Sequence, residues 1–109
     1  MSELPSTRRE PAPADGDLLV RDDPSRSRFE LVRDGLVIGL VDYVVDGDVV
    51  VVPHTEIDPA WQGHGFGVRL VAGVLDELRT RGCSVVPTCS FVRRFVHDHP
   101  EYRDLLAAD

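Results

Sequence analysis

Residues 61–70 read Trp61-Gln62-Gly63-His64-Gly65-Phe66-Gly67-Val68-Arg69-Leu70, with three glycines at alternate positions running straight into an apolar periodic segment. From Phe66 onward, Leu70, Val71, Val74, Leu75 and Leu78 recur at the three- and four-residue spacing of one helical face. Glycine inside a helix costs roughly 1 kcal/mol against alanine, so glycines crowded at a helix mouth answer a need other than local propensity. A helix start carries amide donors without intrahelical partners and the positive end of the macrodipole, and glycines let a bulky anion reach them. The stretch therefore reads as a phosphate cradle. It is not a Walker A loop, because Gly-Lys-Ser/Thr is absent, and Gly63-x-Gly65-x-Gly67 lacks the dinucleotide spacing and follows no first parallel strand.

Upstream, Arg28-Phe29-Glu30-Leu31-Val32-Arg33 alternates, Asp34-Gly35 turns, Leu36 to Val45 is a long β-branched run, and Asp46-Gly47 turns again. Two Asp-Gly hairpin signals around one strand predict a three-stranded antiparallel meander whose last strand covers about 48–57. Downstream, Gly82 stops the helix and Cys83 to Thr88 reads as a short strand, parallel to the meander's last strand because a helix of this length connects them. Cys89 or Ser90 then opens a second helix over about 91–99, Pro100 interrupts it, and 101–108 suits a last helical turn or two. The fold class is α/β (α+β): a meander, a strand-helix-strand unit and a C-terminal helix. Residues 1–27 hold four of the eight prolines. They read as a mobile tail, in which the Leu18-Leu19-Val20 cluster could form an ordered edge segment; residues 28–109 form the domain.

The 109 residues suffice for one domain with a modest core. A balance of 12 basic against 19 acidic residues, net charge −7, argues against gripping nucleic acid or an anionic membrane by bulk electrostatics. All the basic residues are arginine. The first residues have prolines and acids where a signal peptide needs an apolar run, and no stretch approaches the ~18 apolar residues of a membrane span, so a cytoplasmic location is expected. The two cysteines, Cys83 and Cys89, form no disulfide or zinc pattern and are expected as free thiols.

Strand alternation places Val50, Val52, His54 and Glu56 on one face, unless a bulge changes the parity. His54 and Glu56 are then candidate bases for a proton from an ammonium acceptor, with Glu56 preferred; the bland reading is exposed strand-end polar residues. Cys89, where a strand ends and a helix begins, has a placement that can stabilise thiolate, and its bland reading is inert packing. His97 and His99 lie on different helix faces, so no metal is assigned.

Gln62-Gly63-His64-Gly65-Phe66-Gly67 resembles the Gln/Arg-x-x-Gly-x-Gly/Ala signature of the GCN5-related N-acetyltransferase (GNAT) superfamily. His54-Thr55-Glu56, Val86-Pro87-Thr88-Cys89-Ser90-Phe91-Val92 and His99-Pro100-Glu101-Tyr102, in this order, resemble a branch of very small single-domain members. The resemblance implies a GNAT-like mixed sheet with two strands splayed around the pantetheine arm of acetyl-coenzyme A. It implies a pyrophosphate held at Gln62, Gly63, His64, Gly65, Phe66 and Gly67, with a strand-end peptide at Ile57 facing the thioester. It also implies Cys89 close to the acetyl group, as bystander or covalent relay. Many superfamily members protonate the leaving thiolate with a tyrosine on the last helix; here Phe95 and His97 stand nearest that position and Tyr102 lies beyond Pro100. The expected function is acetyl transfer to an amine of a small molecule or protein, by a monomer or weak dimer; the alternative is a non-catalytic acyl-coenzyme A sensing module.

Overall fold

The computed structural model describes residues 18–107. A five-stranded sheet runs in sequence order, β1 (Leu18–Asp23), β2 (Arg28–Arg33), β3 (Leu36–Asp46), β4 (Val49–Ile57) and β5 (Ser84–Pro87). The first four strands pair antiparallel and β4 pairs parallel with β5. Asp34 and Gly35 adopt positive φ of 49° and 83°, the backbone that a tight β2–β3 hairpin demands. Helix α1 (Phe66–Thr80) connects β4 to β5, and helix α2 (Ser90–Asp98) follows β5. A 3-10 segment, Pro100–Leu105, closes the described chain, and Ala107 N–H then bonds Val85 O at 2.9 Å.

The six apolar positions read as one helical stripe are the six buried residues of α1. They meet Phe29, Leu31, Val41, Val50 and Val52 from the sheet and Val92, Phe95 and Val96 from α2 in one core. Both helices thus occupy one face of the sheet. On the other face Glu30 is 1% exposed beneath the side chains of Arg21 and Arg28, which bond its two carboxylate oxygens at 3.0 Å each. Burial pushes the Glu30 carboxyl up, but these two arginines more than reverse it and hold it below its ordinary value.

Two expectations change. The edge segment suggested by Leu18-Leu19-Val20 is strand β1, and it is longer than that cluster, running from Leu18 to Asp23, so the sheet begins ten residues before the boundary set at 28. Its inward Val20 seats against Gly73 of α1, where an added Cβ would lie 2.7 Å from a Val20 methyl, so a bare helix position accepts the strand. Pro24–Arg26 of the expected tail form a 3-10 turn that leads into β2, and residues 1–17 lie outside the described residues. The second change is a bulge in β4: Val51 pairs Val44, but His54 pairs Asp42, leaving Val52 and Pro53 opposite Tyr43 alone. Proline has no N–H for the ladder and is tolerated at such an irregularity. The parity flips there, so His54 and Glu56 leave the face of Val50 and Val52, and Thr55 and Ile57 take their place above the helices.

Candidate active site

The site lies where β4 outruns β5. Their pairing ends at Val52 and Pro87, and the Thr88 and Cys89 N–H groups both bond Val52 O at 3.1 Å. Beyond that tie the two segments part, and β4 continues unpaired on this side through Thr55 and Ile57. Alternation explains the direction of its peptides. Asp58 N–H bonds Ile38 O at 2.8 Å on the β3 side, so the peptide groups of Thr55 and Ile57 face the gap. Gln62 Nε2 donates to Ile57 O at 3.0 Å from that side and fastens the loop to the strand end.

Gly65 is the N-cap of α1, at φ 79°, with no side-chain cap and no acidic residue in the first turn. The first intrahelical bond runs from Arg69 N–H to Gly65 O at 3.3 Å, which leaves the Phe66, Gly67 and Val68 N–H groups without a helical acceptor. Gly63 is also left-handed, at φ 83°, and nothing lies within 4 Å of a Cβ built on either glycine. The helix start is therefore bare and open on the side of the gap, which fits the phosphates of a coenzyme A-type ligand. Gly67 differs. A Cβ there would sit 2.9 Å from Cζ of Phe91, so it is the contact point between the two helix starts.

A cleft of about 340 Å³ results, floored by Thr55 and Ile57 and closed by Gln62, Gly63, Gly65 and Gly67. Trp61, Phe66, Val68 and Phe91 make its walls apolar. Of the expected cofactor residues, Ile57, Gln62, Gly63, Gly65, Phe66 and Gly67 line it and His64 does not; the His64 ring packs 5.9 Å from that of Phe66. Trp61, Phe91, Thr55 and Val68 were missed as lining residues. The Arg33 guanidinium sits 5.1 Å from the Trp61 ring and 5.5 Å from Phe66, bracing the wall from behind.

Cys89 is the N-cap of α2 and is half-buried, and its Sγ donates to Thr55 Oγ1 at 3.7 Å. Burial pushes its thiol up, but the N–H groups of Val92, Phe91 and Thr55 together with the Thr55 hydroxyl outweigh that and hold it below its ordinary value. No cap bond closes from Sγ, so these amides act as oriented dipoles around the sulfur.

His54 and Glu56 stand on the opposite, helix-free face, 53% and 60% exposed, with Nε2 3.1 Å from Oε1. The pair is wet and mutually bonded, not an extension of the apolar stripe. None of the residues near the usual tyrosine position reaches the cleft. Phe95 stacks on His99 with centroids 4.1 Å apart, His97 contacts Asp98 at 3.3 Å, and Tyr102 donates to Asp76 at 2.9 Å. Among the described residues no group of three or more His, Cys, Asp or Glu could hold a metal, and no helix is long and apolar enough to cross a membrane.

A family sequence model described as GCN5-related N-acetyl-transferase matches residues 28–105. No curated protein matches the chain. Among solved structures, a GCN5-like protein of Staphylococcus aureus superposes with TM-score 0.62 at 17% identity, over 88% of this chain and 92% of its own. The ribosomal-protein-S18-alanine N-acetyltransferase of Escherichia coli superposes with TM-score 0.56 at 21% identity, over 65% of this chain and 49% of its own, so the present chain spans about half of that enzyme. The N-acetylglutamate synthase of Neisseria gonorrhoeae, complexed with coenzyme A and N-acetyl-glutamate, gives TM-score 0.54 at 18% identity over 80% of this chain and 26% of its own. At these identities the likeness concerns the fold.

Proposed function

This chain belongs to the GCN5-related N-acetyltransferase family, and from that premise we propose that it binds acetyl-coenzyme A in the β4–α1 cleft and moves the acetyl group to an amine. The observation that carries the reading is the uncapped glycine start of α1, with three amides lacking helical acceptors, opening into a gap lined by strand peptides. Acetyl-coenzyme A supplies an activated thioester. The amides of Phe66, Gly67 and Val68 bind its phosphates, and the apolar walls at Trp61 and Phe91 shield the arm from water. The Ile57 peptide polarises the thioester carbonyl. The acceptor approaches from the helix-free face, where Glu56, oriented by His54, takes a proton from its ammonium group and frees the neutral amine that attacks the carbonyl.

Cys89 is the second group proposed to act. Its thiolate attacks the thioester carbonyl, the bond to the coenzyme A sulfur breaks, and that sulfur leaves and is protonated from solvent. The amine then attacks the S-acetyl group and releases the Cys89 thiolate. The position of Sγ beside Thr55, with the thiol held low, supports this relay. A reducing cytoplasm keeps the thiol free. The acceptor is the amine of a small molecule or of a protein, and the protein acts as a monomer or weak dimer whose cleft is lined by its own residues.

The test is release of coenzyme A thiol from acetyl-coenzyme A with and without a panel of amines. An amine-dependent rise supports transfer; tight binding with flat release across the panel replaces it with the acyl-coenzyme A sensing alternative. For the relay, the protein is incubated with acetyl-coenzyme A without amine, quenched in acid and mapped by mass spectrometry. The absence of lysine leaves the two thiols and the terminal amine as the strong acceptors. A hydroxylamine-labile acetyl on Cys89 that amine removes at the turnover rate supports the relay. Undiminished turnover in Cys89→Ala leaves direct attack.

A further inference from the structure

A second cavity, about 450 Å³, lies beyond the outer edge of β5 and shares no lining residue with the acetyl-coenzyme A cleft. Helix α2 separates the two, giving Phe91 to the cleft and Arg93, Val96 and His97 to the cavity. Its floor is apolar, from Val85, Val86, Pro87, Val96 and Leu106. Among the described residues its polar side chains are Arg93, His97 and Arg103, with no carboxylate in the lining. The two acids nearest in sequence are engaged elsewhere: Asp104 bonds Arg79 at 2.6 Å, and Asp98 bonds Arg94 at 3.3 Å, also touching His97 Nδ1 at 3.3 Å. Arg93 spends one N–H on Thr88 O at 3.1 Å, and among the described residues neither arginine of the cavity has an acidic partner. Two guanidinium groups without an acidic partner among the described residues, over an aliphatic floor, select for an anion with an apolar body.

The edge itself excludes one class of occupant. An added peptide strand needs a row of open N–H and C=O groups, but Val85 O is already bonded by Ala107 N–H at 2.9 Å, and Pro87 has no N–H. Its volume of about 450 Å³ falls within the range of small-molecule sites. We propose that this cavity binds an aliphatic carboxylate, its chain lying on Val85, Val86 and Val96 and its carboxylate held by Arg93 and Arg103. The proposal is independent of the acetyl-transfer reading, since it concerns a different site.

Octanoate and the isosteric, neutral octanamide are titrated into the full chain, and backbone amide signals are followed by NMR. Octanoate shifts Val85, Val86, Val96 and Ala107 saturably and leaves Gly63 and Gly65 in place. Octanamide binds more weakly, and the Arg93→Gln, Arg103→Gln double variant weakens octanoate by about tenfold or more, the loss of charge-assisted hydrogen bonds. The exposed Arg103→Gln single variant gives an intermediate loss and guards against misfolding of the double variant. Equal affinity for the amide, no loss in the variants, or shifts centred on Thr55 and Ile57 overturn the proposal. An acidic peptide that moves the same cavity signals at lower concentration than octanoate also overturns it, in favour of a protein partner.

Discussion

The two helices that face the cleft begin in opposite ways. Helix α1 starts on Gly65, with no side chain offered to its first amides, whereas α2 starts on Cys89, whose sulfur sits among the N–H groups of its own first turn. Both expose the positive end of a helix to the same gap, yet one leaves its amides open toward the cleft and the other turns them to a side chain of the protein. A single residue at the helix start thus decides whether the same kind of amides stay open or surround a sulfur. The starts touch where Phe91 of α2 meets Gly67 of α1.

The hardest blow to the contrast is to give α1 a side chain. Gly65→Val forces a β-branched residue into a left-handed position and fills the open side, and it is expected to weaken coenzyme A binding by about 1 to 3 kcal/mol. Calorimetry on a variant with unchanged far-ultraviolet dichroism checks this, and equal affinity breaks the comparison at its first term. Glu56→Gln is expected to lower turnover by about 10²-fold or more while coenzyme A affinity stays level, because the base acts on the acceptor from the other face. A surviving rate and pH profile would remove Glu56 from the reaction.

The Cys89 start of α2 carries a pH effect of definite sign. The Cys89 thiol is lower in the folded protein than its ordinary value of 9.0, so folding favours the thiolate. The stability of the wild type relative to Cys89→Ala should therefore be greatest above 9.0 and decline as pH falls through the folded value. Urea titrations of both proteins across that window measure it, and a difference independent of pH contradicts the thiolate-stabilising role of α2. Rates of thiol alkylation against pH give the same midpoint directly. Thr55→Val should shift that midpoint upward, since it removes the hydroxyl beside Sγ.

The smallest effect concerns the contact between the starts. Gly67→Ala improves helix propensity by roughly 1 kcal/mol but brings a methyl within 2.9 Å of the Phe91 ring edge. Phe91 is 42% exposed and can swing aside, so net stability should stay within about 1 kcal/mol of wild type. The displaced ring narrows the cleft, and Phe91→Leu in the same background should restore affinity. If it does not, the two helix starts are energetically separate.

Much of this was legible beforehand. The stripe from Phe66 to Leu78 and the two Asp-Gly turns are local patterns, and local physics alone produces α1 and the meander. The glycine loop was legible for the same reason, because left-handed positions and a bare helix start follow from residue type. The face of His54 and Glu56 was not. One extra residue opposite Tyr43 reverses every side chain beyond it, and Pro53 marks that place only once the register is known. The Leu18-Leu19-Val20 cluster announced an edge segment but not its length: β1 runs to Asp23 through its pairing with β2, and Val20 seats against Gly73, more than fifty residues away in sequence. Trp61 and Phe91 belong to the site only through tertiary meeting, so no spacing along the chain announces their wall.

Trp61 carries one further consequence. It is the chain's single tryptophan, and it stands in the wall of the cleft with a guanidinium 5.1 Å from its ring. Light emitted by the protein on excitation of tryptophan therefore originates at the site itself, with no background from any other part of the fold. Any molecule that enters the cleft changes the water around that indole, and the unmodified protein carries its own optical gauge of occupancy.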